Sequence, residues 1–75
     1  MSTATTLKFT ELRAQWHELM AQAADVLVER NKLTATEFGF PVSKAHDLDA
    51  KRNAEHHRRM AANARKEAEA LKALQ

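Results

Sequence analysis

The sequence predicts an all-α protein: an antiparallel helical hairpin of two long, coiled-coil-like helices, completed as a dimeric four-helix bundle. Three observations predict it. The 75 residues include one Gly and one Pro and are otherwise rich in Ala, Leu, Glu, Lys and Arg, a composition that favours helix over sheet. Apolar residues on one side of that Gly and Pro, and small residues on the other, recur at alternating spacings of three and four, the period of a helical seam. Finally, a chain this short sits near the limit at which one core offsets its own ordering entropy. With no cysteine there is no disulfide or Cys-based zinc site to help, which leaves association with another chain.

The N-terminal residues 1–8 are expected to be a flexible tail, because Met1 to Thr6 is mostly Thr, Ser and Ala with no apolar anchor. Residues 9–75 then form a single helical-hairpin domain. Its first helix, 9–33, has Thr6 or Thr10 as N-cap and Glu11 favourably placed in the first turn. Phe9, Leu12, Trp16, Leu19, Ala23, Val26 and Leu33 make the seam, with Arg30 in the one remaining position. Met20 and Leu27 flank and widen it, so this helix is expected to touch two neighbours.

The connection, 34–42, contains Thr34, Thr36, Gly39 and Pro41. Thr34 with Glu37 reads as a capping box for a short turn, Gly39 suits a left-handed position, and Pro41 disfavours helix at Phe40. Phe38 and Phe40 are expected to plug the open end of the hairpin. The second helix, 43–74, starts at the cap Ser43, with Asp47 and Asp49 near its N-terminus and Lys72 near its C-terminus. Its seam is Ala50, Ala54, His57, Ala61, Ala64, Ala68 and Leu71.

A tight hairpin brings together residues whose numbers sum to about 76. Trp16 then faces Met60 and Ala61, Leu12 faces Ala64, Phe9 faces Ala68, Val26 faces Ala50, and Arg30 lies near Asp47. Bulky residues meet small ones throughout, and a second hairpin would cover Met20, Leu27 and the outer Ala face.

Little in the chain points to chemistry. His46 and His57 are eleven residues apart, about 16 Å along a helix, and His56 and His57 diverge by about 100°, so His46, Asp49, Asn53, His56 and His57 are not expected to bind a metal. No nucleophile and base stand at a recognisable spacing, Glu55 and His56 diverge, and there is no phosphate-binding Gly-rich loop. The sequence therefore predicts no enzyme activity, no cofactor and no small-molecule substrate. No stretch has signal-peptide character or the roughly 20 apolar residues of a membrane span, so a cytoplasmic protein without membrane contact is expected.

The most specific feature is a basic ridge on the second helix. Lys44, Lys51, Arg58, Arg65 and Lys72 recur every seventh residue, with Arg52, Arg59 and Lys66 beside them. As a site, Lys51, Arg52, Arg58, Arg59, Arg65 and Lys66 would meet an acidic surface, with His56 as a pH-sensitive neighbour. As a solvated face, Asp47–Lys51, Lys51–Glu55, Glu55–Arg59 and Arg65–Glu69 would pair locally. These residues point to a small regulator, inhibitor or adaptor that binds a protein partner. An accessory nucleic-acid-binding protein is the alternative, although no base-reading cluster or helix-turn-helix accompanies the ridge. A purely structural self-associating bundle is the third reading.

Overall fold

The computed structural model describes residues 2–75. Two helices, α1 (Thr3–Glu37) and α2 (Lys44–Lys72), pack antiparallel as a hairpin with overall extents of 55 × 16 × 15 Å. The all-α hairpin is as the composition and periodicity predict.

Both ends of α1 differ from the expectation. The helix starts at Thr3 because Ser2 is the cap: its hydroxyl accepts from the Thr5 N–H at 3.1 Å. Leu7 is buried and anchors this turn. The residues expected to form a tail are therefore helical from Thr3 onward, while Met1 lies outside the described residues. Thr6 and Thr10 are inside the helix, and their hydroxyls donate to the carbonyls of Ser2 and Thr6. At the other end Thr34 and Thr36 are also helical where a capping box was expected, their hydroxyls donating to the carbonyls of Arg30 and Lys32.

The chain leaves α1 at Phe38, and Gly39 takes a positive φ of 70°, a conformation that costs glycine little. The Phe40 N–H then donates to the Thr34 carbonyl at 3.2 Å, satisfying a carbonyl at the helix end. Phe38 and Phe40 are 71% and 63% exposed, so they do not plug the hairpin. Pro41 and half-buried Val42 line its open end instead, with Leu27 and Asn31. As predicted, Ser43 caps α2, accepting from the His46 N–H, with Asp47 in its first turn and Lys72 in its last.

The α2 seam is as read: Ala50, Ala54, Ala61, Ala64 and Ala68 are buried, and His57 and Leu71 are half-buried. On α1 the facing seam is a different one. Leu7, Thr10, Ala14, His17, Ala21 and Asn31 are buried, with Ala24 and Val28 half-buried between them. Each stands two residues before its expected counterpart, a rotation of about 160° about the helix axis. The longitudinal register is nearly as expected, since His17 meets His57 and these numbers sum to 74.

Phe9, Leu12, Trp16, Leu19, Val26 and Leu33 consequently point outward, each at least half exposed. The pairs expected for Phe9, Leu12 and Val26 with Ala68, Ala64 and Ala50 are not formed. Arg30 is exposed, and Asp47 pairs with Lys51 rather than with Arg30.

Charge and size account for the rotation. Glu11, Glu18 and Asp25 form a seven-residue acidic column beside the small seam of α1. Facing α2 with that seam sets Glu18 against Arg65 and Asp25 against Arg58. Two small-residue faces also allow helix axes to approach closely.

Candidate functional site

The hairpin has two unlike sides. On the charged side, Arg65 and Arg58 reach from α2 to Glu18 and Asp25 across a shallow groove floored by Ala21 and Ala61. The hydrogen bond from Arg65 to Glu18 raises the guanidinium above its ordinary pKa and holds it charged. Lys51 pairs with Asp47 at 3.0 Å and Lys72 with Glu69 at 3.5 Å within α2. On the other side, Met20, Ala23 and Leu27 line a groove with Asn53 and His57. Met60 and Glu67 lie seven and fourteen residues after Asn53 and so share its face. Arg13 closes that side by pairing with Glu67.

The predicted ridge is thereby divided. Lys51, Arg58 and Arg65 are committed to ion pairs that fasten the hairpin or its helix. Arg52, Arg59 and Lys66 are exposed at seven-residue spacing and enter no salt bridge among the described residues. Of the predicted local pairs, Asp47–Lys51 is present. The other three are not formed: Arg65 turns to α1, and Glu55 and Arg59 pair with nothing among the described residues.

A ring cluster sits at mid-length. His17, only 8% exposed, places Nδ1 at 2.9 Å from Nδ1 of His57. One nitrogen must donate and the other accept, so the two imidazoles hold complementary tautomers. Burial, and then the charges of His57, His56 and Arg13, lower the His17 pKa from its usual 6.5, disfavouring the protonated ring. Trp16 stands edge-on to both rings, with centroids 4.8 Å from His17 and 5.6 Å from His57. The exposed His56 packs edge-on against His57 at 5.2 Å.

Most conspicuous is what lies outside the hairpin core. Among the described residues no large side chain is fully buried, and apart from Leu7 the buried apolar residues are all alanines. The outward stripe of α1 holds the chain's apolar bulk instead, and so large an exposed apolar surface suggests an interaction surface. It is continuous with Met20 and Leu27, hence with the groove over His57. Sequence reasoning found these residues but assigned them to the core, and it missed His17 altogether. The signal for His17 was its place in the second α1 seam, between Ala14 and Ala21.

Among the described residues no group of three or more His, Cys, Asp or Glu is placed to hold a metal ion, and no helix is long and apolar enough to cross a membrane. In comparisons with known proteins, the chain matches no protein-family model, no curated protein and no solved structure.

Proposed function

We propose that this chain is a small, non-enzymatic interaction protein, a regulator, inhibitor or adaptor, that works as a dimer of hairpins and binds a protein partner through exposed helix faces. The outward apolar stripe of α1 carries the reading. Six large side chains that are 50–68% exposed leave on the order of 5–10 kcal/mol of burial per chain to be gained from a protein surface. The Ala-lined hairpin core buries little apolar surface of its own, so a partner on the stripe would add a large share of the stability of helices this long.

The column Arg52, Arg59 and Lys66 is the second contact face, suited to an acidic surface. Because Arg58 and Arg65 are tied to α1, the test changes only the untied residues. Pull-down from the native cell is compared for the wild type, Arg52→Glu/Arg59→Glu/Lys66→Glu, and Leu19→Glu. Loss of a recovered protein in either variant supports the reading, and a set of proteins unchanged by both contradicts it. The same basic column favours nucleic-acid binding as a second reading. Binding to generic DNA or RNA at low salt that the triple variant abolishes would favour it over a protein partner.

A further inference from the structure

We infer that the occupant of the α1 stripe is a second copy of this chain, joined antiparallel about a two-fold axis level with Ala21. This rests on the reading of the stripe as a protein-binding face and names its partner. The chain exposes 5714 Å², about 1,000 Å² more than the ~4,700 Å² of a compact folded protein of its 8.5 kDa mass. That excess is close to the ~800 Å² each partner gives up in a standard interface.

The stripe runs from Phe9 to Leu33 at unbroken three-four spacing, which is what a coiled-coil partner requires, and its contents select the direction. In a parallel pair each residue meets its own copy. Arg30 would face Arg30, the bulk of Trp16 would be doubled in one layer, and Ala23 would leave a gap in another. An antiparallel pair instead joins residues whose numbers sum to 42. Trp16 then meets Val26 and Leu19 meets Ala23, so larger meets smaller in the middle of the pair, and Phe9 meets Leu33 at each end. Arg30 meets Leu12, along which its methylene stem can lie while the guanidinium reaches the edge.

Because the stripe is turned about 160° from the inner seam, the four helices lie in the order α2, α1, α1, α2. The Arg52, Arg59 and Lys66 column stays on the outside, open to another partner.

The absence of native cysteine makes a direct test possible. Phe9→Cys and Leu33→Cys variants are equilibrated in a glutathione redox buffer, alone and mixed, alongside sedimentation equilibrium of the wild type. The expected result is a wild-type dimer, interchain disulfide in the mixture, and little in either variant alone, since an antiparallel pair separates the two copies of position 9 by about 36 Å. Disulfide in each variant alone would mean a parallel pair and overturn the inference. A wild type that remains monomeric at high concentration overturns it too, while leaving the capture of a different protein by the stripe to stand or fall on the pull-down. Leu19→Glu should weaken the dimer about 100-fold or more. Should that variant lose its helicity, Leu19→Ala gives the same comparison at a smaller loss, and dissociation unchanged in a folded stripe variant would contradict the inference, while the pull-down alone decides whether the stripe takes a different protein.

Discussion

The two helices differ in how many faces a neighbour can use. α2 has one seam, Ala50 to Leu71, and across from it stand Arg52, Arg59 and Lys66, so only one orientation toward α1 is open to it. α1 has two seams, one small and part-polar from Leu7 to Asn31 and one bulky from Phe9 to Leu33. It turns the small one inward. The difference teaches that the helix with a single seam decides how its partner is rotated, because an Ala face accepts another small face at close range and aligns the charges beside it.

Four perturbations sharpen or break this contrast, from the largest expected effect to the smallest. Trp16→Ala should cost about 3–5 kcal/mol by chemical denaturation where the stripe is covered. The cost should fall to about half that at dilutions where the chain is monomeric, because Trp16 is 53% exposed in the lone hairpin. A cost independent of concentration would place Trp16 inside the hairpin. Ala14→Leu should cost about 1–3 kcal/mol at any concentration, since Ala14 is fully buried in the inner seam and a larger side chain forces the helices apart. A neutral result there would mean the inner seam is loose.

The third perturbation is pH. With its folded pKa lowered, His17 takes up a proton more readily when unfolded, so its contribution is complete above the ordinary value of 6.5 and is lost as pH falls below it. The Tm should therefore drop between pH 7.5 and pH 5, and His17→Asn should flatten that drop. An unchanged slope would show that other groups carry it. Smallest are Arg58→Ala and Arg65→Ala. Their ion pairs to Asp25 and Glu18 are about half exposed, so each should lower the Tm only slightly, and less at high salt.

Much of the fold was legible in the residues. The Gly39–Pro41 break placed the connection, the Ala spacing named the whole α2 seam, and Ser43 was read correctly as a cap. The rotation of α1 was not, because periodicity says which residues share a face and leaves open which face meets the neighbour. Ranking faces by bulk chose Phe9 to Leu33. The better guide was charge, since only the small seam brings the acidic column Glu11, Glu18 and Asp25 alongside the basic column that includes Arg58 and Arg65. Of the candidate site, the separation of Arg52, Arg59 and Lys66 from their tied neighbours could be seen only once those cross-helix pairs were in place. The start of α1 was misjudged for a local reason: a single serine hydroxyl at Ser2 suffices to cap a Thr-rich segment that composition alone reads as frayed.

The central claim is that α1 presents His17, not Leu19, to His57, and oxidation of paired cysteines tests it most directly. In dilute protein, His17→Cys/His57→Cys should close an intrachain disulfide, because residues 17 and 57 face each other across the inner seam, as the contact between their ring nitrogens shows. Leu19→Cys/His57→Cys should stay reduced under the same conditions, because Leu19 lies on the outward face. The reverse pattern, with the 19–57 pair closing and the 17–57 pair open, would return the bulky stripe to the hairpin core and contradict the account.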